Sequence, residues 1–189
     1  VKIGSREPSS EKLTAWKAAA GTHASTGTFA EAAKFGDLVV LATLWGGTES
    51  AIRFADPANL TGKVVIDATN PLVFMPDRMP SLALGHTDSG GEQVQRWLPR
   101  SRVVKAFNIV GNADMFRPSF ASGPPDMFFA GNDEPAKKEV AAILTTFGWN
   151  PVDIGGIEGA RILEPLCLLW VAYMFQSQSR SHALTMLHR

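Results

Sequence analysis

Four short stretches set small or polar residues directly behind apolar runs, where a strand would end and a ligand could be met. The first is Gly4-Ser5-Arg6, after Val1-Lys2-Ile3. A guanidinium can hold a phosphate through two parallel hydrogen bonds and also lie flat on a purine. The second is Ala42-Thr43-Leu44, followed by Gly46-Gly47. Small residues there let backbone pass close to a ligand, and the glycine pair lets the chain turn into a helix. The third runs from Asp67 to Asn70-Pro71. Asn70 offers an amide, Pro71 breaks the chain, and Asp67 is the type of residue that bonds loop amides more often than it does chemistry. The fourth is Lys105-Ala106-Phe107-Asn108. Phe107 reads either as an apolar wall for a flat ring or as core. Lys105 reads either as a proton carrier or, more ordinarily, as a packed stem whose amine reaches water.

The elements that must carry these ends alternate. "DLVVLAT", "KVVIDAT", "RVVKAF" and "DMFFAG" are short, continuously apolar runs, and helix-like stretches lie between most of them. Glu11 to Ala20 is expected to be helical and to stop at Gly21. Thr28 with Glu31 reads as a capping box. Asp133 and Gly148 bound a helix over "EPAKKEVAAILTTF". Leu72 to Gly91 reads as irregular, and a long apolar helix is expected from about Ile157 to Met174. Strands that are apolar throughout, alternating with helices, imply an α/β fold with a mainly parallel sheet covered on both faces. Such sheets bind ligands at the carboxyl ends of their strands. An acidic residue after the second strand bonds the free 2′-hydroxyl of NAD, whereas Ser5 and Arg6 suit the 2′-phosphate of NADP.

Composition narrows the classes. Hydrophobic residues make up 45% and charged residues 19%, which is globular. Eighteen basic and eighteen acidic residues cancel, so no basic excess points to nucleic acid or to an anionic membrane. The longest apolar run, Pro165 to Phe175, is shorter than a membrane span. The single cysteine, Cys167, sits among apolar neighbours and reads as a buried thiol in a reducing, cytoplasmic compartment. No metal-ligand spacing is present, and His86, His182 and His188 read as surface or structural residues.

Taken together, "IGSREP", "DLVVLATLW", "KVVIDATNPL", "VVKAFN", "FFAGNDEPAKKEV" and "GWNPVDIGGIEGARILEPL" resemble the coenzyme F-420-dependent NADP oxidoreductases. They also resemble the cytosolic reductase domain of the six-transmembrane metalloreductases. The resemblance runs from residue 1 to about residue 170. It implies an α/β fold of Rossmann type, a doubly wound, mainly parallel sheet with a C-terminal helix, and NADP(H) as hydride carrier, with Ser5 and Arg6 at the 2′-phosphate and Thr43 and Leu44 lining the cofactor. Asn70, Pro71, Ala106, Phe107 and Asn108 would stand beside the nicotinamide. A flavin or deazaflavin of the F-420 kind would be the small-molecule acceptor, and no catalytic acid or base is assigned.

Family members open with a strand and a Gly-rich loop that holds the pyrophosphate, and no such loop precedes Val1. Strand one is central in the order 3-2-1-4-5-6, so the natural chain is expected to be longer by about 20 residues or more. The expected organisation is one domain over residues 1–189, with 157–189 a helical extension at a homodimer interface. Arg161 and Glu164, three apart, are expected to pair or to line the rim of the site. Two other functions are open: an NADP(H)-binding sensor without turnover, and a small imine or carbonyl reductase.

Overall fold

The computed structural model describes residues 1–187, so His188 lies outside the described residues. The first layer is small. Strand β1 (Lys2–Gly4) is followed by helix α1 (Glu11–Ala20), strand β2 (Ser25–Gly27) and helix α2 (Phe29–Phe35). β1 and β2 pair in parallel, Ile3 opposite Thr26. The capping box forms: Thr28 Oγ1 accepts from the Glu31 N–H at 3.2 Å, and Glu31 Oε2 accepts from the Thr28 N–H at 2.7 Å. Such a cap contributes about 1 kcal/mol. Helix α1 forms where expected but buries none of its residues; only Leu13 and Trp16 are half-buried.

The second layer is a five-stranded sheet. In chain order its parts are β3 (Leu38–Leu41), α3 (Trp45–Ala55), β4 (Val64–Asp67), the hairpin strands β5 (Leu72–Val73) and β6 (Ser81–Leu82), α4 (Gly90–Trp97), β7 (Arg102–Lys105), β8 (Asp126–Gly131), α5 (Glu134–Thr146), β9 (Asn150–Asp153) and α6 (Ala160–Ser177). The strand order is β3-β4-β7-β8-β9. β3, β4 and β7 run parallel, whereas β7 and β8 run antiparallel. The reversal has a simple cause. A parallel pair needs a crossover element, and between Lys105 and Asp126 there is only the one-turn 3-10 helix Asn112–Asp114.

Alternation along the strands divides the core in two. Val65 and Val103 face Ala33, Ile52, Leu60, Val94 and Leu98 on one side. Val64, Ile66 and Val104 face Val140, Leu144, Leu163 and Trp170 on the other. Both faces are therefore covered, which is why these strands carry no polar alternation. Each such aliphatic side chain contributes roughly 1.5–3 kcal/mol on burial.

The two sheets do not join. β1 pairs with β2 alone and β3 with β4 alone, so the expected continuous sheet is interrupted. Between β1 and β3 runs an apolar trough of about 650 Å³, with Ile3 and Gly4 on one wall, Val39 to Thr43 on the other, and Phe29, Ala33 and Ile52 among its lining. It is open to water, since Val40 is 55% exposed.

Glycine decides one helix contact. A Cβ on Gly91 would stand 2.7 Å from Ala160 Cβ, and one on Gly90 would stand 3.0 Å from Trp45. The two glycines let α4 approach α6. Gly91→Ala is expected to lower stability by roughly 1–3 kcal/mol, as overpacking against a backbone-fixed methyl does, despite alanine's better helix propensity. A urea unfolding midpoint measures this, and an unchanged or raised midpoint would contradict it.

Arg161 and Glu164 do not pair with each other. Arg161 Nε donates to Glu92 Oε2 at 2.9 Å across the α4–α6 contact. The Arg161 guanidinium holds the Glu92 carboxyl below its ordinary value of 4.5, although burial opposes it. A depressed folded-state value means stability that is present above pH 4.5 and lost as pH falls through the folded value. Unfolding midpoints between about pH 5 and 3 should therefore fall more steeply in the parent than in Arg161→Gln.

The chain after α6 turns back. Trp170 Nε1 donates to the His182 carbonyl at 2.9 Å, and the two rings stack with centroids 4.4 Å apart. The Met186 N–H donates to Asp126 Oδ2 at 2.6 Å. His182 thus has a structural role.

Candidate functional site

The site grows from the adjacent ends of β4 and β7. Asp67 and Lys105 are register partners on these strands, and both are fully buried. Lys105 Nζ donates to Asp67 Oδ2 at 3.0 Å and to the Thr69 carbonyl at 2.6 Å. It also stands 2.9 Å from Glu164 Oε1, which reaches in from α6. The amine does not reach water, contrary to the ordinary sequence expectation. Burial pushes Lys105 toward the neutral form, but the Asp67 and Glu164 carboxylates outweigh it and hold the ammonium above its ordinary value. Lys105 is therefore a fixed cation and not a proton carrier.

One cation facing two carboxylates leaves an excess negative charge. The Gly90 and Gly91 N–H groups donate to Glu164 Oε2 and Oε1, each at 3.0 Å. The positive end of α4 offsets the second carboxylate. Asp67, as expected, bonds its own loop: the Thr69 N–H and hydroxyl donate to Oδ1 at 2.9 and 2.7 Å.

Beyond Thr69 two amides interlock. Asn70 Nδ2 donates to the Asn108 carbonyl at 2.8 Å, and Asn108 Nδ2 donates to Asn70 Oδ1 at 3.0 Å and to the Leu163 carbonyl at 2.9 Å. These partners fix both amide orientations, because flipping Asn108 would set oxygen against two oxygens. Asn108 Oδ1 is then buried without a donor. Between the two asparagines, Phe107 holds φ at +61°, a left-handed conformation that is costly for a bulky side chain and clusters at functional sites.

These groups stand at a pocket of about 470 Å³. Thr43, Leu44, Asn70, Phe107 and Asn108, all expected from the sequence, line it together. Leu44 is 88% exposed at the start of α3, and Thr43 Oγ1 is bonded to Thr48 Oγ1 at 2.8 Å. Pro71 and Ala106 are buried behind the wall and are not among its lining residues. Ser5 and the exposed Arg6 stand apart from the pocket, directly after the Gly4 wall of the trough. Trough and pocket share Ala42 and Thr43, so they are adjacent.

The pocket also gathers residues not singled out in the sequence. Trp45 lines it and stacks on Trp97, with ring centroids 5.6 Å apart. Phase in the sequence could have flagged Trp45, since it follows the Thr43-Leu44 strand end directly. Phe74 comes from the β5–β6 hairpin, within the stretch expected to be irregular. Met115 arrives from the β7–β8 connection. Gly46 and Gly47 fall inside the first turn of α3 rather than before it.

The architecture has counterparts among known proteins. The family model for coenzyme F-420-dependent NADP oxidoreductases matches residues 1–71. A structure from Arthrobacter sp. FB24, a proposed F-420-dependent NADP reductase, aligns with a TM-score of 0.93 at 33% identity, covering 100% of this chain and 88% of that one. The chain belongs to the coenzyme F-420-dependent NADP oxidoreductase family.

The family's reach toward the metalloreductases is also visible. Metalloreductase STEAP3 of Rattus norvegicus is 29% identical over 174 residues, which is 89% of this chain and 32% of that protein. The chain thus spans about a third of the length of that curated relative. An imine reductase from Pseudomonas sp. aligns with a TM-score of 0.60 at 16% identity, over 94% of this chain and 54% of that one, and shares the fold. The family is one of NADP-dependent reductases. Among the described residues no helix is long and apolar enough to cross a membrane.

Proposed function

We propose that this member of the family transfers a hydride between NADP(H) and a flat flavin- or deazaflavin-type acceptor of the F-420 kind in the Asn70–Phe107–Asn108 pocket. The observation that carries this reading is the chemistry of the wall. None of the residues lining the pocket is ionisable: it is built from Thr, Asn, Gly, aromatic and aliphatic side chains. Hydride transfer between two flat rings needs positioning and exclusion of water, not a proton donor. Reduction of an imine or carbonyl needs a proton at the nitrogen or oxygen, and this wall supplies no titratable source for one.

The residues fit the cofactor. Asn108 Oδ1 is a buried acceptor lacking a donor, and a carboxamide N–H such as that of nicotinamide is the group it lacks. When bound, the dihydronicotinamide supplies the hydride. Phe107 gives an apolar surface for a ring, while Trp45, Leu72, Phe74 and Met115 line the rest. Thr43 and Leu44 line the run toward the trough, beyond which Ser5 and Arg6 take the 2′-phosphate. The facing edges of β1 and β3 across the trough would be satisfied by one more strand, and a pyrophosphate-binding turn would end such a strand.

Helix α6 leaves Ile162, Leu169 and Tyr173 more than half exposed on one stripe. We assign that stripe to a second copy of the chain in a homodimer; sedimentation of the parent and of Leu169→Glu tests it, and a concentration-independent monomer in the parent would refute it. The buried, unpaired Cys167, whose thiol is pushed up to about 12 by burial, fits a reducing cytoplasm.

The function is tested by NADPH oxidation with flavin, deazaflavin and ferric acceptors and with small imines and ketones. Acceptor-dependent loss of absorbance with the flat acceptors, at a hydride-transfer rate flat from about pH 6 to 9, is expected. Binding without turnover would favour the sensor reading. Turnover of imines with a pH-dependent rate would favour the reductase alternative.

A further inference from the structure

We infer that Asp67, Thr69 and Lys105 form a clamp that positions Asn70 and Asn108 against the nicotinamide end of the cofactor, with Glu164 fastening the clamp to α4 and α6. The inference rests on the cofactor reading above and adds to it Asp67, Lys105 and Glu164, buried residues that do not line the pocket and act on it through Thr69, which does.

The geometry shows what the buried charges hold. The backbone of Thr69 is gripped on both sides: its N–H by Asp67 Oδ1 at 2.9 Å and its carbonyl by Lys105 Nζ at 2.6 Å. The side-chain hydroxyl adds a third bond to Asp67 at 2.7 Å. The peptide entering Asn70 is therefore held at its carbonyl by Lys105. From there the paired amides carry the constraint to Asn108, whose second donor bond goes to the carbonyl of Leu163 on α6. The next residue on that helix is Glu164, which closes the loop by pairing with Lys105 at 2.9 Å. The clamp thus ties four separate parts of the chain: the end of β4, the start of α4, the end of β7 and one turn of α6.

Stability alone does not account for such an arrangement. Buried ion pairs are commonly no more stabilising than apolar residues of the same size, because desolvation offsets their attraction. Their directional bonds do fix a geometry, and here the geometry fixed is that of the pocket wall. Lys105, Asp67 and Glu164 are not among the lining residues, so they are positioning residues and not catalytic ones.

The test separates positioning from folding and from cofactor binding. Thr69→Val keeps the shape of the side chain and the backbone N–H but removes the hydroxyl bond to Asp67, and Thr69→Ser restores a hydroxyl. Each is titrated with NADPH, following both affinity and the rise in dihydronicotinamide emission on binding, with urea midpoints as a check on folding. Thr69→Val is expected to bind NADPH within about threefold of the parent, since the adenosine end is untouched, yet to lose most of the emission rise. Thr69→Ser is expected to regain it. A full emission rise in Thr69→Val would overturn the clamp. So would a loss of emission that merely tracks a loss of folded protein or of affinity. A parent chain that binds no NADPH would instead overturn the cofactor reading, and the clamp's role with it.

Discussion

Lys105→Met is expected to lower the stability of the protein by about 3–5 kcal/mol, out of the roughly 5–15 kcal/mol that a domain possesses. Methionine matches the lysine stem in length, so the loss is not one of volume. It arises because Asp67 and Glu164 would remain buried with no cation between them. Glu164 would keep its two bonds from the start of α4, and Asp67 its two from Thr69, but neither set supplies a full charge. One consequence distinguishes this account from a packing defect. Adding Asp67→Asn to Lys105→Met should restore part of the stability, because an amide is cheaper to bury than an unpaired carboxylate. Urea midpoints for parent, single and double variants check it. A double variant no more stable than Lys105→Met alone would contradict the electrostatic account.

Arg6→Ala is expected to weaken NADPH binding about tenfold or more while changing NADH binding little. A hydrogen bond between charged partners contributes roughly 1.5–3 kcal/mol, and Arg6 is exposed, so the lower end applies. The contrast between the two nucleotides is the informative quantity, because only NADPH carries the 2′-phosphate. The contrast should also narrow as salt rises, since an exposed guanidinium–phosphate pair is screened. Titrations of parent and variant with both nucleotides at low and high salt measure it. Equal losses for NADH and NADPH would place Arg6 elsewhere on the cofactor or make it a structural residue. Ser5 keeps its O–H free to donate in the variant, since its oxygen only accepts from the Glu7 N–H at 3.1 Å, so a small preference for NADPH should remain.

The readings that held are those whose physics is local. The Thr28–Glu31 box and the Asp133 cap, which accepts from the Ala136 N–H at 2.8 Å, need only residues three apart. The apolar runs became β4, β7 and β8 because a strand covered on both faces has no polar position to disguise it, and β3 formed beside β4 although its Val40 is exposed at the trough. Thr43, Leu44, Asn70, Phe107 and Asn108 line one pocket because the parallel strands β3, β4 and β7 deliver their carboxyl ends to one side, whereas Ser5 and Arg6, on the separate β1–β2 pair, stand apart from it. What failed depends on the third dimension. The amine of Lys105 could be placed only by knowing that Glu164 arrives from a helix 59 residues later. Arg161 and Glu164 look like partners at a spacing of three, yet each had a stronger partner on another element. Phe74 and Met115 carry no periodic signal, since a short hairpin and a coil connection bring them in.

The trough between β1 and β3 divides the cooperativity of the molecule. The β1–β2 pair is joined to the larger sheet chiefly through α2, and α1 has no buried residue with which to resist opening. Amides of α1 and of the trough-facing edges should therefore exchange with solvent in the first minutes. Those of β4, β7 and β8, buried on both faces, should exchange only when the whole protein unfolds. The segment around Gly21 to His23, exposed at the end of α1, should be the first cut by a protease. A nucleotide lying from Arg6 to Asn108 would span the boundary between these two units. Its binding would then appear as slowed exchange in α1 and β1, a long way along the chain from the pocket that holds its reactive ring.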